Sequence, residues 1–200
     1  MATPTGERPL RADAQRNHDR IIAAAGEIFA EHGLEASMDE IARRANVGAA
    51  TLYRRFPSKQ ELLHAILDAR LAELEPPIAH AAAAADAWEG LLAGVRALLA
   101  AQARNVALVQ ALAQAGELPT LKRELRDRVF EPLCGVFARA QACGQIRADI
   151  DPCELHVLVR MVGSTAMHGT DQPGQPAWER YLTLFADALR TPAPTPLPPL

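Results

Sequence analysis

Residues 37–61 constrain the fold of this 200-residue chain more than any other stretch, because they contain several helix start and stop signals. Ser37 and Glu40 have the spacing of a capping box, which predicts a helix from Met38. That helix must end at residues 46–48, Asn-Val-Gly, where the glycine can serve as the N-cap of a second helix. The chain is therefore predicted to turn sharply here.

The second helix of this stretch is short. It is predicted over residues 49–56, since Pro57 disfavours the helical conformation of the residue before it. Ser58 and Glu61 repeat the capping-box spacing, so a third helix begins at once. The pattern predicts two short helices joined by a tight turn and followed directly by another helix.

The two short helices carry a local positive charge. Residues 41–60 contain five basic side chains and no acidic one, although the whole chain has a net charge of −3. The basic residues are Arg43, Arg44, Arg54, Arg55 and Lys59. Such an excess suits a phosphate backbone, and this helix pair has what a helix-turn-helix needs to reach a DNA major groove.

The run from Ile21 to Leu67 resembles the N-terminal DNA-binding domain of TetR/AcrR-type transcriptional regulators. It contains an Ile-Ala pair, then Val-Gly-x-x-Thr-Leu-Tyr-x-x-Phe, then Ser-Lys. The resemblance implies that Thr51, Tyr53 and Lys59 touch DNA phosphates or bases and that Ser37 meets a phosphate.

Residues of the second short helix are the candidates for reading DNA. Tyr53 and Arg54 are predicted to contact base edges, and Thr51, Arg55 and Lys59 to contact phosphates. The full predicted set is Ser37, Arg44, Ala49, Ala50, Thr51, Tyr53, Arg54, Arg55 and Lys59. The alternative is that Arg54 and Arg55 only solvate a surface.

Small residues at the start of this helix depart from the family pattern. Gly48 stands where serine is common in the family, and Ala50 where glycine is common. Neither change argues against DNA binding. Ala49 and Ala50 are candidates for contact with thymine methyl groups.

Composition predicts an all-α protein. The chain is 49% hydrophobic but only 4% aromatic, is rich in alanine, and shows no sustained alternation typical of strands. No apolar run approaches the ~20 residues of a membrane span, and the polar N-terminus lacks a signal-peptide core. We expect a soluble, cytoplasmic protein without a membrane partner.

Three regions are predicted. Residues 1–60 form an N-terminal arm and a three-helix helix-turn-helix DNA-binding domain, with disorder over residues 1–12. Residues 61–190 form a helical ligand-binding and dimerisation domain, and residues 191–200, with five prolines, form a disordered tail.

Proline and capping signals divide the chain further. The first helix is predicted over residues 13–32, and the helix after Ser58 is predicted to continue until Pro76 and Pro77. Pro132 should kink a helix over residues 121–143, because it lacks an N–H group and crowds the carbonyl four residues earlier. Asp151, Pro152 and Glu154 predict a capped helix start.

The region from Trp88 to His168 has more apolar faces than a dimer interface needs, and pockets form between the helices of such bundles. The resemblance implies that an effector bound there weakens DNA binding. The candidate ligand-binding residues are Trp88, Leu92, Phe130, Phe137, His156 and Arg160. Plain core packing is an equally good interpretation of each.

The resemblance also implies a homodimer in which the last two helices pair with their copies in a four-helix bundle. A recognition helix of this length reaches few base edges, each discriminating by roughly 1–3 kcal/mol, so a twofold pair is needed to select a site. The predicted interface residues are Leu155, Val159, Val162, Gly163, Ala166, Tyr181, Leu182, Phe185 and Leu189.

Other chemistries lack a sequence signature. No Gly-x-Gly-x-x-Gly, Gly-x-Ser-x-Gly, P-loop or His-Glu-x-x-His run occurs, so we do not expect an enzyme. The six histidines and three cysteines show no metal-ligand spacing, so no metal and no cofactor are predicted. The cysteines are expected to be buried or partly buried thiols.

These observations predict a ligand-responsive repressor that binds a palindromic double-stranded DNA operator as a homodimer and is released by a small-molecule effector. An activator or dual regulator of the same fold is the alternative. A small-molecule-binding protein or an enzyme without DNA function is the alternative from another class.

Overall fold

The computed structural model describes residues 7–167 and 177–190, together with Thr195 and Leu197. Every regular element in these residues is helical, which confirms the all-α prediction. The α-helices are α1 (Glu7–His32), α2 (Met38–Arg44), α3 (Ala49–Arg55), α4 (Lys59–Ala72), α5 (Glu75–Ala83), α6 (Ala87–Arg104), α7 (Val106–Gln114), α8 (Leu118–Leu125), α9 (Glu131–Ala142), α10 (Leu155–Met167) and α11 (Ala177–Leu189). Short 3₁₀ turns occupy Gly33–Glu35 and Pro152–Glu154.

The chain divides into two compact units. The first contains residues 1–70 and 107–121, and the second contains residues 71–106 and 122–200. Nearly all of α7 thus belongs to the unit that holds the helix-turn-helix, whereas residues 61–190 were predicted to form the second domain. The division into a DNA-binding and a ligand-binding domain stays a prediction.

The first unit is built on a core of long aliphatic and aromatic side chains. α1 packs on α2, and α2 packs on α3. The fully buried side chains include Ile21, Ile28, Phe29, Ile41, Leu52, Leu62, Leu63, Ile66 and Leu112. Since α1, α2, α3, α4 and α7 all contribute, removing any one helix would expose apolar surface on the others.

Two helix boundaries differ from the sequence predictions. α1 begins at Glu7, so residues 7–12 are helical rather than disordered, while the predictions for residues 1–6 and for most of 191–200 lie outside the described residues. Pro76 and Pro77 do not merely end the preceding helix. They lie in the first turn of α5, where a missing N–H has no helical partner to lose.

α6 is the central helix of the second unit and contacts α5, α9, α10 and α11. Its N-cap is Asp86, whose Oδ1 accepts from the N–H groups of Trp88 and Glu89 at 2.9 and 3.2 Å. Gly90 allows α5 to approach, since a Cβ there would lie 2.5 Å from the carbonyl oxygen of Ala81. A small residue at this position is therefore a packing requirement.

A π-helical segment directly precedes α9, in which Pro132 was predicted to cause a kink. Residues Arg126–Phe130 form one wide turn between α8 and α9, and the N–H of Glu131 donates to the carbonyl of Arg126. Proline removes an N–H donor and crowds the carbonyl four residues earlier, and a wider turn relieves both constraints. The helix predicted over residues 121–143 is consequently interrupted before Pro132.

Among the described residues, no single helix meets the length and hydropathy of a membrane span. One bent pair, Ala87–Arg104 with Val106–Gln114, reaches that threshold by length and composition when the two helices are taken together.

The cysteines are more exposed than predicted. Cys143 and Cys153 are exposed, and only Cys134 is partly buried. The pKa of Cys134 is raised chiefly by burial, and that of Cys153 by its hydrogen bond with Asp151. Both shifts reduce the thiolate fraction, which is the reactive form.

Candidate nucleic-acid interface

The helix-turn-helix starts at Ser37, which caps α2. Its Oγ accepts from the N–H of Glu40 at 3.1 Å, so the serine half of the predicted capping box is present. The Glu40 carboxylate does not complete the box, and its Oε1 lies 3.4 Å from Nε2 of His32 instead. The Ser37 hydroxyl keeps its own hydrogen, which can be donated to a phosphate.

The turn between α2 and α3 depends on Asn46, which has a φ of 52°. Its N–H donates to the carbonyl of Arg43 at 3.1 Å, and the N–H of Val47 donates to the carbonyl of Ala42 at 3.0 Å. These two bonds form a Schellman motif, which requires a left-handed residue after the helix. Asparagine tolerates that conformation better than most residues.

α3 has one buried and one exposed face. Leu52 is fully buried, and Phe56, the residue that ends the helix, is 5% exposed. Gly48 takes the extended N-cap conformation, as predicted, with no side-chain bond. The exposed positions are Ala49, Ala50, Tyr53, Arg54 and Arg55, so the side chains predicted to read bases lie together on the outer face.

Arg55 leans toward α1 rather than extending freely. Its Nε donates to Nδ1 of His18 at 3.4 Å, and its guanidinium carbon lies 5.9 Å from the centroid of the Phe56 ring. The His18 and Phe56 rings are 5.6 Å apart. The arginine is therefore held at the edge of the α3 surface while remaining exposed, a position suited to a phosphate rather than a base.

Thr51 and Lys59 are half-buried, Thr51 on α3 and Lys59 at the first residue of α4. The Oγ of Ser58 accepts from the N–H of Glu61 at 3.1 Å and so caps α4 as predicted. Because α4 begins three residues after Phe56, Lys59 remains close in sequence to the exposed residues of α3.

Arg44 has a different environment from the other predicted contacts. Its guanidinium donates to Oε2 of Glu27 at 3.0 Å and to Oε2 of Glu31 at 3.1 Å, with a longer contact of 3.4 Å to Oε1 of Glu31. These partners were not predicted from the sequence, although Glu27 and Glu31 are four residues apart and therefore share one face of α1. The structure gives Arg44 an intramolecular role.

Comparison with known proteins covers both units of the chain. Residues 21–66 match the family model described as "Bacterial regulatory proteins, tetR family". Residues 84–191 match the one described as "Transcriptional regulator SbtR-like, C-terminal domain". The chain belongs to the TetR family. It is therefore a DNA-binding transcriptional regulator.

Individual TetR-family proteins are similar over most of their length. The chain is 28% identical to the HTH-type transcriptional regulator SrpR of Pseudomonas putida, over 72% of this chain and 70% of SrpR. It is 33% identical to the HTH-type transcriptional repressor KstR of Mycobacterium tuberculosis, over 72% of this chain and 67% of KstR. A solved TetR regulatory protein from Mycobacterium vanbaalenii is 33% identical, with a TM-score of 0.65, covering 92% of this chain and 100% of that one.

The predicted effector-binding residues of this TetR-family chain do not share one environment. Trp88 and Phe137 are buried in the second unit, and the guanidinium carbon of Arg190 lies 5.2 Å from the centroid of the Trp88 ring. Such enclosed side chains already have protein neighbours on all sides, so both are core residues in this structure.

The remaining effector candidates are less enclosed. Leu92 and Phe130 are half-buried, whereas His156 and Arg160 are exposed. Phe130 and His156 meet edge to face with ring centroids 6.3 Å apart, so the structure brings these two together. Nδ1 of His156 also lies 2.5 Å from the carbonyl oxygen of Cys153.

The predicted dimer residues mostly face the interior of the second unit. The buried ones are Leu155, Val159, Val162, Gly163, Leu182 and Leu189. A Cβ on Gly163 would lie 2.4 Å from Oε1 of Gln102, so this glycine faces α6. Tyr181 is exposed, Phe185 is half-buried, and the side chain of Ala166 lies outside the described residues.

A second apolar stripe lies on the last two helices, and only one of its four members, Tyr181, was among the predicted interface residues. Its members are Val157, Met161, Tyr181 and Leu184, with exposed fractions of 44%, 65%, 44% and 57%. Val157 and Met161 are four residues apart on α10, and Tyr181 and Leu184 are three apart on α11, so each pair lies on one helix face. We call these four residues the α10/α11 apolar stripe.

Proposed function

We propose that the chain is a repressor that binds a palindromic operator as a homodimer and leaves it when a small-molecule effector binds the second unit. The observation that carries this proposal is the outer face of α3, where Tyr53 and Arg54 are exposed next to each other. In this proposal they contact base edges in the major groove, and Ala49 and Ala50 approach thymine methyl groups.

Phosphate contacts flank this base-reading surface in the proposal. Ser37, Thr51 and Lys59 donate from its margins, and Arg55 donates from the position in which His18 holds it. Arg44 is left out of the contact set, because two carboxylates already accept its hydrogen bonds.

Dimerisation is proposed to occur through the α10/α11 apolar stripe. Four large apolar side chains exposed on two adjacent helices are unusual for a surface that faces only water. α10 packs on α11, so the two pairs can form one side of a four-helix bundle with a second copy. A twofold axis would then present two α3 helices to two half-sites.

The effector site is proposed to lie near Leu92, Phe130, His156 and Arg160. Leu92 and Phe130 are half-buried and thus have apolar surface that a ligand can still cover, unlike Trp88 and Phe137. Phe130 closes the π-helical segment, and π turns are frequent at functional sites. Release requires that the effector bind the form unable to hold DNA more tightly than the DNA-bound form.

The repressor assignment is supported by the name of KstR, the M. tuberculosis repressor to which the chain is 33% identical. An activator or dual regulator would use the same contacts. The distance between operator and promoter separates these outcomes, since a repressor's operator overlaps the polymerase site. A cytoplasmic location follows from this proposal, because the chromosome is the partner.

The deciding experiment is selection of genomic fragments by the purified chain, followed by sequencing of the retained DNA. The proposal predicts a short inverted repeat in these fragments and, with Arg54→Ala, a relaxed base preference at one position of that repeat. Arg96→Ala, which removes an exposed arginine of α6, serves as the matched control and should leave retention unchanged. A small-molecule library is then tested for release. Failure of the parent chain to retain any fragment at low ionic strength would refute the proposal.

A further inference from the structure

Arg44 occupies a distinctive position at the end of α2. It is the last residue of that helix, two positions before the left-handed turn residue Asn46. Its side chain is 40% exposed, yet it binds two carboxylates that lie 13 and 17 residues earlier in the chain. The contact therefore joins the end of α2 to the middle of α1.

The geometry of this contact is that of a clamp. Nη1 and Nη2 of Arg44 approach Oε1 and Oε2 of Glu31 at 3.4 and 3.1 Å, while Nη1 also donates to Glu27 at 3.0 Å. A guanidinium held by a fork of this kind is fixed in orientation as well as in position. The pKa of Glu31 is lowered, and that of Arg44 is raised, chiefly by their hydrogen bond.

The charges around Arg44 are those of a closed network rather than of a phosphate site. One guanidinium faces two carboxylates, so an approaching phosphate would meet a net negative charge. The network extends to the start of α2, where Nε2 of His32 lies 3.7 Å from Glu31 and 3.4 Å from Glu40. α1 thus contacts both ends of α2 through polar side chains.

We propose that Arg44 is a positioning residue for DNA recognition, clamping the end of α2 to α1 so that the following turn delivers α3 at the correct angle. This inference rests on the proposed DNA contacts of α3. It also explains why Arg44, one of the two basic side chains between residues 41 and 60 that lie outside the contact set, does not contact DNA. The helix-turn-helix would keep its fold without the clamp but present α3 less uniformly.

The test compares three variants on two DNA probes. Arg44→Gln removes the charge, and Arg44→Lys keeps the charge but loses the fork. Arg43→Gln is the matched control, because Arg43 is the exposed neighbour on the same helix. The probes are the selected operator duplex and a random-sequence duplex of equal length. Dissociation constants are measured at several salt concentrations, and thermal unfolding is recorded in parallel.

Arg44→Gln is expected to weaken operator binding about fivefold, because the free energy lost with this ion-pair network lies near the upper end of the range for exposed ion pairs. Random-duplex affinity and the salt slope should stay at the parent values, since no phosphate contact is lost. Arg44→Lys should recover part of the loss. Arg43→Gln should not reproduce the selective loss of operator binding.

Three outcomes would overturn the inference. A salt slope reduced by about one, with equal weakening on both duplexes, would make Arg44 a phosphate contact. A lower melting temperature with unchanged affinities would leave it a stabilising contact only. If neither the affinities nor the melting temperature changed, the clamp would have no effect on binding or stability. If the parent chain itself bound neither duplex, the proposed function would fall first, which distinguishes the two failures.

Discussion

The carboxylate of Glu117 lies 2.8 Å from the imidazole of His64, measured from Oε2 to Nε2. Gln60 donates to the same carboxylate, and the hydroxyl of Thr120 donates to it at 2.9 Å. Gln60 and His64 are four residues apart on α4, which follows α3. The turn after α7 is thereby attached to the N-terminal half of α4 within the first unit.

This cluster predicts how stability depends on acid. The contacts with His64, Gln60 and Thr120 lower the pKa of Glu117 below its ordinary value of 4.5. Because the folded carboxyl holds its proton less tightly than the unfolded one, its stabilising contribution is complete above that ordinary value. It is lost as the pH falls through the lower folded pKa.

Glu117→Gln should therefore lower the melting temperature at neutral pH and flatten its decline during acidification. Thermal unfolding followed by circular dichroism, from about pH 6 to about pH 3, measures both effects. Glu35→Gln, an exposed glutamate in the same unit, is the control. An acid profile for Glu117→Gln parallel to that of the parent would contradict the prediction.

The left-handed conformation of Asn46 gives a second prediction. Asn46→Val should destabilise the chain by about 1–2 kcal/mol, because a β-branched side chain clashes in this conformation. Asn46→Gly should be neutral or slightly stabilising, since glycine adopts a positive φ without that cost. Urea unfolding measures the difference. Similar midpoints for the two variants would show that the turn does not depend on this residue's conformation.

Close packing of α5 on α6 gives a third prediction. Gly90→Ala should cost about 1–3 kcal/mol, since its Cβ would lie 2.5 Å from a backbone oxygen and 2.8 Å from Cβ of Ala84. Gly135→Ala is the matched control, because a Cβ there meets nothing within 4 Å. Gly135→Ala should instead raise the free energy of unfolding by about 0.5–1 kcal/mol, because alanine has a higher helix propensity than glycine. If urea unfolding showed Gly90→Ala to be more stable than Gly135→Ala, the packing argument would be refuted.

The proposed dimer predicts the effect of charge on the α10/α11 apolar stripe. Met161→Glu combined with Leu184→Glu should convert a dimer into a monomer, because four carboxylates would meet across the twofold axis. Sedimentation equilibrium measures the mass. Ala138→Glu, on the exposed side of α9, should leave the dimer intact. A parent chain that is monomeric throughout would exclude this interface.

Two variants at the DNA surface are expected to affect DNA binding in different ways. Lys59→Ala should weaken binding to every duplex about equally and lower the salt slope by about one, as a lost phosphate contact does. Arg54→Ala should relax the preference at one operator position, with a cost of about 1–3 kcal/mol for the preferred base. Competition binding with single-position operator variants separates the two. Equal salt slopes for Lys59→Ala and the parent would remove Lys59 from the phosphate contacts.

Much of the helix-turn-helix was predictable because its signals are local. Ser37, Ser58 and Pro57 act on backbone groups within four residues, so their effects do not depend on distant parts of the chain. The same holds for the complete capping box at Asp151, where Cys153 N–H donates to the aspartate and Asp151 N–H donates to Glu154. Local chemistry of this kind can be read from residue order.

The proposed dimer surface was less predictable because α10 and α11 each carry two apolar stripes. Periodicity identifies both stripes, but it does not say which one packs on α6. Leu155 and Val159 were expected at a surface and are buried, whereas Met161 was not expected there and is 65% exposed. The choice depends on the position of α6, which is distant in sequence.

By itself, the order of residues determined the helical class, the two short helices with their turn, and the positive, exposed surface of α3, since each depends on neighbours along the chain. Only the tertiary structure decided that Arg44 binds Glu27 and Glu31, that Glu117 meets His64, and that α7 joins the first unit. These contacts join residues separated by 13 to 53 positions. Their partners are selected by how the helices pack, and no local pattern encodes that choice.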